Sequence, residues 1–330
     1  MRLPACVVRT TTGGRMSGDC SSRLMVQLDP GMTMRQALAG ILLSQLDIME
    51  RNIQGIRDDM DTEFLHDFRI ANRRSRSLIT GMKQALAAPA HERGKQFFSW
   101  MSKQTSALRD IDVFLLAFRQ YKKILPGEVY AQLMPLRDFL QQRRESERKD
   151  LVSALESDRF LEFIHAWRQS LQESIREENA TGPVLETART AIWGAWERTG
   201  KQGRRAADSG SDEALHELRK SAKKLRYLLE AFRMLLPVRD VEQATRQLRQ
   251  LQNVLGDIVD YQVQQQYLGQ WQENFQGKEH QGVKAAMEFL GKVYARRENA
   301  KKKKFQRHYD VFASPENEDL FASLCGRTSA

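Results

Sequence analysis

From Thr33 onward, apolar positions return with the period of an α-helix. Leu38, Ile41, Leu42, Leu46 and Met49 form one stripe running to about Arg57, behind Thr33, whose side chain suits an N-cap. A second helix is predicted over about 61–87, stopping before Pro89, and a third over about 91–124, ended by Pro126 and Gly127. Residues 128–156 and 158–178 supply two more. The run NATGP at 179–183 is the strongest breaker in mid-chain and marks a seam between halves at about 31–180 and 183–310. Beyond it the pattern predicts helices over about 184–202, 212–236, 240–275 and 280–307, with a Gly and Ser linker at 203–211 and a polar tail at 311–330. Residues 1–30, rich in Thr, Gly and Ser without helical period, read as a disordered leader, with Met25, Met32 and Met34 as alternative starts. Long helices joined by short turns predict an all-α chain of antiparallel bundles.

Two of these helices carry the same ladder of positive charge. FLHDFRIANRRSRSLI at 64–79 and ALHELRKSAKKLRYLL at 214–229 align without a gap at a shift of 150 residues, placing His66 on His216, Arg69 on Arg219, Arg73 on Lys223, Arg74 on Lys224 and Arg76 on Arg226. At 100° per residue, His66, Arg69, Arg73 and Arg76 fall within an arc of about 80°, along about 15 Å of helix axis. Phe64, Phe68, Ala71, Leu78 and Ile79 take the opposite face, so each helix joins an apolar side to a side that is almost wholly cationic. Like charges at these spacings repel by a few tenths of a kcal/mol each, which a bound anion would relieve. A solvated basic face would account for one such helix. Repetition of the charges themselves in a second points to a shared polyanionic ligand.

Composition narrows the class of partner. The 330 residues are 41% hydrophobic, enough for a large core, and 52 Lys and Arg against 42 Asp and Glu give a net charge of +10. That balance favours phosphate-rich partners over acidic proteins or free metal cations. Cys6, Cys20 and Cys325 lie near the termini without CxxC spacing, which argues against a disulfide framework or structural zinc and for a reducing cytoplasm. LPAC at 3–6 lacks the apolar stretch that precedes a lipoprotein cysteine, and no run of 18 apolar residues is present to span a membrane.

Each ladder is followed, in the next helix, by an Asp-centred run: TSALRDIDVF at 105–114 and LGDIVDYQV at 255–263, with Asp110 on Asp260 at the same shift. A helix with His-x-x-Arg-x-x-x-Arg/Lys and then an Asp motif, twice in one helical chain, resembles the CHAD family (conserved histidine α-helical domain). The resemblance covers residues 33–310 or thereabouts. It implies two four-helix bundles related by a pseudo-twofold, and a shared basic central channel that binds inorganic polyphosphate without turning it over and without a cofactor. Carried over by position, the phosphate ligands are His66, Arg69, Arg73, Arg76, His216, Arg219, Lys223 and Arg226, flanked by Arg74, Lys220 and Lys224. Arg143, Arg144 and Arg148 are expected to project from a further helix toward the same groove, with Arg296, Arg297 and Lys301 as their counterparts in the second half. The chain departs from the family where Thr105 and Ser106 replace the Leu-Gly that Leu255 and Gly256 keep, which puts close helix packing in the first half in question. It also shows no Glu-x-Glu-x-Lys strand before Thr33, so a standalone module is expected.

A linear polyphosphate has charge at every repeat and no base edges, so it calls for cationic donors in line more than for aromatic platforms. His66 and His216 are either ligands that protonate beside phosphate or donors to Asp110 and Asp260. Asp110, Asp112, Asp257 and Asp260 give no evident set of metal ligands, and Asp110 and Asp260 are expected to orient neighbouring Arg or His side chains, with no metal. The expected function is non-enzymatic polyphosphate binding, at polyphosphate granules in the cytoplasm. A secondary reading is an RNA-binding or nucleoid-associated protein, although Phe64 and Phe68 lie on the apolar face and Tyr227 is the only other aromatic ring in the ladders. A phosphohydrolase using His66 or His216 would lack an obvious base partner, metal cluster or Gly-rich phosphate loop.

Overall fold

The computed structural model describes residues 26–177 and 183–327, and among these the regular structure is helical throughout. The first half holds α1 (Met34–Arg57), α2 (Thr62–Gly81), α3 (Ala88–Gln104), α4 (Ser106–Ile124), α5 (Gly127–Gln132), α6 (Met134–Glu156) and α7 (Asp158–Arg176). The second half holds α8 (Val184–Ser209), α9 (Asp212–Phe232), α10 (Val238–Gln272), α11 (Gln281–Phe312) and α12 (Pro315–Leu324).

Local chemistry sets most of these boundaries. Thr33 caps α1 in a reciprocal box with Gln36, Asp61 accepts from the Glu63 amide at the start of α2, and Ser211 accepts from the Ala214 amide at the start of α9. The helix predicted over 61–87 ends earlier, at Gly81, and Pro89 ends no helix: it sits in the first turn of α3, where its missing N–H costs nothing. The predicted helix over 91–124 is in fact two, broken at Thr105. The hydroxyl of Thr105 bonds back to the Met101 carbonyl at 2.8 Å and that of Ser106 to the Ser102 carbonyl at 2.6 Å, so these side chains take up backbone acceptors at the break.

Two further expectations need correcting. The linker at 203–211 is mostly helix, because α8 runs on to Ser209. Gly203 lies inside that helix beneath the Tyr309 ring, where an added Cβ would come within 2.0 Å of a ring carbon, and Gly210, with φ of 59°, provides the stop. The polar tail at 311–330 instead contains α12, whose Phe321 and Leu324 are fully buried. Phe321 stacks on Trp196 with ring centres 4.1 Å apart, and burial there moves the Cys325 thiol up to about 11. Cys6, Cys20 and most of the 179–183 seam lie outside the described residues.

α1 packs on α2 and α7, α8 on α9, and α10 on both α9 and α11. The halves meet where α2 lies against α9 and α1 against α8. One apolar core gathers Phe68, Phe98, Phe160, Phe232 and Phe312, and a second, at the far ends of the long helices, gathers Phe114, Tyr121, Leu136, Trp271 and Leu290. Each core takes helices from both halves, so the halves are fixed to one another by apolar burial, at about 1.5–3 kcal/mol for each large side chain. That rigid pairing of α2 with α9 positions the cationic ladders.

Candidate functional site

Leu65, Phe68, Ala71, Leu78 and Ile79 bury one face of α2, and Leu215, Leu218, Ala222, Leu225 and Leu229 bury one face of α9. What remains of each helix is its cationic side, and the two sides open onto one cleft of about 380 Å³. Arg69, Arg73 and Arg76 line it from α2; Lys220, Lys223 and Lys224 line it from α9. Ser102, Thr105 and Ser106, at the break between α3 and α4, close the side next to α2. Direct contacts seal the seam: Arg73 donates from Nε to the Tyr227 hydroxyl at 2.7 Å, and Lys224 donates to the Thr80 carbonyl at 3.2 Å. Gly81 lets the Lys224 stem pass, since a Cβ there would stand 3.1 Å from its Cε.

Crowding and burial make the cations of this cleft costly to hold. Burial, followed by the charges of Arg219 and Arg73, brings the Lys223 ammonium down to about 7, and among the described residues it has neither hydrogen bond nor ion pair. Arg69 is brought down to about 10 by burial despite the attraction of Asp110, and its Nη1 donates to the Thr105 hydroxyl at 2.7 Å. Lys224 is lowered by burial and by Arg198. His66 is lowered by burial and then Arg109, and His216 by partial desolvation and then Lys220 and Arg219. The site is thus short of negative charge, and any anion that enters relieves both the repulsion and the desolvation.

Native carboxylates answer part of the charge. Asp260 accepts from Arg219 at 2.8 Å, while Asp110 accepts from the Tyr267 hydroxyl at 2.7 Å, a bond from α10 to α4 across the halves. These two carboxylates therefore engage an arginine and a tyrosine and not the histidines. His66 and His216 stand in the N-terminal turns of α2 and α9 and do not line the cleft.

Other cations read from the sequence are committed elsewhere. Arg144 holds Asp59 and, at 2.7 Å, the buried Asp112, tying α6 to the α1–α2 turn and to α4. Arg148 is taken by Glu145 and by the Arg57 carbonyl, both at 2.8 Å. Arg143 pairs with Glu147, Lys301 with Asp257, and both Arg74 and Arg226 with Glu230 on the side of Tyr227 away from the cleft. Arg296 and Arg297 are exposed on α11. Arg144 and Arg148 thus do not project into the groove, because carboxylates and a carbonyl at the α1–α2 turn and on α6 meet them first.

Several site groups leave little sign in the sequence. Tyr227 read as a stray ring, but it is 2% exposed and anchors Arg73. Thr105 read as a departure from pattern, and it is the acceptor that fixes Arg69. At the corresponding place in the second half, a Cβ on Gly256 would meet nothing within 4 Å, so that glycine is not a point of close helix packing. A duplicated ladder aligned with a later Asp motif would have flagged the Thr105 hydroxyl as a substitute for packing, had its neighbours been known.

The chain matches the pattern of the CHAD domain over residues 40–269. It belongs to the CHAD family. Two curated relatives, uncharacterized protein Rv2226 of Mycobacterium tuberculosis strain ATCC 25618 / H37Rv and uncharacterized protein MT2285 of strain CDC 1551 / Oshkosh, are each 25% identical to it over 223 residues. The match takes in 62% of this chain but 39% of either relative, so the chain spans well under half of their length. The CHAD domain from the plant Ricinus communis superimposes with a TM-score of 0.74, covering 88% of this chain and 95% of that one at 22% identity. PptA from Streptomyces chartreusis superimposes with a TM-score of 0.63, covering 84% and 100% at 17% identity. At such identities these structures share the CHAD fold with this chain. Among the described residues no helix is long and apolar enough to cross a membrane.

Proposed function

We propose that this CHAD domain binds inorganic polyphosphate, without hydrolysing it, in the cleft between α2 and α9. The observation that carries the reading is the meeting of Arg69, Arg73 and Arg76 with Lys220, Lys223 and Lys224 at one surface, with Lys223 half-buried and unpaired. Membership of a family associated with polyphosphate binding supports it. The planar forks of the arginines suit phosphate oxygens two at a time, and the lysines act as point charges that tolerate a sliding polymer. Holding phosphate is what this donor set does, and the nearest carboxylates are occupied by Arg219 and Tyr267. The ring that lines the cleft, Tyr227, is buried and its hydroxyl engaged, so it gives a nucleobase no stacking face. Many weak attachments to one long polymer would hold the protein at polyphosphate granules in the cytoplasm.

The test is a titration of the purified protein with polyphosphate and with RNA of matched charge over a range of salt, followed by an assay for released phosphate. Polyphosphate is expected to be retained at about 200 mM salt while RNA is lost, with no phosphate released. Arg73→Glu with Lys223→Glu is expected to abolish binding and leave helical content unchanged. Equal retention of both polymers would shift the assignment to nucleic acid, and phosphate release would make the protein an enzyme.

A further inference from the structure

The central cleft does not close at Arg76. Arg76 and Thr80, on its rim, also line a second, open cleft of about 590 Å³ on the outer face of α3, with Lys95, Ser99, Lys103 and Arg159. Arg76 thus borders both clefts, and it donates to the Ser102 hydroxyl of the central one at 3.4 Å. Residues 95, 99 and 103 follow one another at four-residue spacing and so share a face of α3, while Phe97, Phe98 and Met101 on the other side enter the core. From Lys95 to Lys103 that face runs about 12 Å.

The outer face is organised as more than scattered lysines. Arg159, at the start of α7, lies over the indole of Trp100, its guanidinium carbon 4.3 Å from the ring centre. A guanidinium stacked by its face is held in place with its N–H edge free for phosphate oxygens. Glu92 competes for Lys95 at 3.6 Å, but both side chains are about half exposed, and such a pair is worth little in water. The shift that superimposes the ladders puts Thr245, Asn253 and Tyr309 opposite Lys95, Lys103 and Arg159, and Arg246 and Arg249 opposite Gln96 and Ser99, with Arg249 facing Glu230, so the two halves place different cations on this face.

Resting on the polyphosphate reading, we propose that a polymer longer than the central cleft leaves it past Arg76 and runs along the outer face of α3, held by Lys95, Lys103 and Arg159. The chain thereby distinguishes polymers by length: tripolyphosphate fills the central cleft, and long polyphosphate gains the outer contacts as well.

Titration of the full chain with tripolyphosphate and with long-chain polyphosphate tests this. Wild type is expected to bind the long chain about tenfold or more tightly per molecule, as added attachment points on one polymer require. The variant Lys95→Gln/Lys103→Gln/Arg159→Gln is expected to keep its tripolyphosphate affinity, lose most of the length-dependent gain, and show a salt slope shallower by about 2, from three lost contacts at about 0.7 each. Lys103→Gln alone should give a partial loss on a protein with one exposed change. A control, Arg119→Gln/Lys122→Gln/Lys123→Gln on the exposed side of α4, removes the same charge elsewhere and should leave the gain intact. Retention of the full gain by the α3 variant, or an equal loss in the control, would overturn the inference while polyphosphate binding stands. Failure of wild type to bind either polymer would end both.

Discussion

Arg73 of α2 donates from Nε to the hydroxyl of Tyr227 on α9 at 2.7 Å, across the line where the two halves of the chain meet. The bond holds a cleft-lining guanidinium in place by a residue that is itself buried, so the arginine is ordered before any ligand arrives. Tyr227→Phe keeps the ring and removes the anchor. We expect a stability loss of about 1 kcal/mol, the net worth of one such hydrogen bond, by chemical denaturation. Polyphosphate affinity should fall several-fold, and Arg73→Gln should weaken binding less in the Tyr227→Phe background than in wild type.

Lys223 makes binding sensitive to pH. Free, its ammonium titrates at about 7, whereas a phosphate chain beside it favours the charged form, so binding takes up a proton. Affinity should therefore be greatest below about pH 7 and decline above it, by at most tenfold per pH unit for one group. Facing Lys223 are Arg219, Arg73, Arg226 and Asp260, and burial raises the Asp260 carboxyl. His66 and His216, lowered below their ordinary value, add to the same trend only on the acid side. Calorimetric titrations from about pH 6 to pH 8 should show the decline, and Lys223→Arg should remove most of it.

Stability of the unliganded protein runs the other way. The folded-state value of Lys223 lies below the ordinary 10.5, so between about 7 and 10.5 the unfolded chain holds more protons and stability rises with pH. Below about 7 the penalty for the buried charge is fully present. Lys223→Met should accordingly raise the melting temperature at neutral pH by a few degrees while weakening polyphosphate binding. A lower melting temperature in that variant would contradict the desolvation account.

Arg144 separates a structural cation from a binding one. Its partner Asp112 is 1% exposed, and burial raises that carboxyl against the pull of the guanidinium. Arg144→Met leaves the carboxylate unpaired and should cost about 3 kcal/mol. Adding Asp112→Asn should restore part of it, and a double-mutant cycle by denaturation measures the coupling. The affinity of the folded protein for polyphosphate should not move.

These contrasts show what the sequence could and could not carry. Helical periodicity and the Thr33 cap located the start of α1 and gave its end approximately, because Thr33 and Gln36 are neighbours in the chain. The charge ladders could be read for the same reason, since residues three and four apart on a helix share a face, and Arg69, Arg73, Arg76, Lys220, Lys223 and Lys224 do line one cleft. The fates of Arg144 and Lys301 could not be read. Asp59 lies 85 positions from Arg144, and only the packing of α6 on α1 and α4 brings such partners together. Gly203 misled for a related reason: glycine in sequence signals a break, but here it signals the approach of a ring from α11.

The short helix α12 offers the last prediction. Its sequence PENEDLFASL has only scattered apolar residues and no long stripe, yet Phe321 inserts beside Trp196 and Phe312 in the larger core. Phe321→Ala should cost about 3–5 kcal/mol, as for other fully buried aromatic side chains. Because α12 packs on α8 and α10 and lines neither the central cleft nor the outer face of α3, the protein that remains folded should bind polyphosphate as wild type does. Measured below the lowered melting temperature, a matching loss of affinity would mean that α8 and α9 depend on this helix for their position at the cleft.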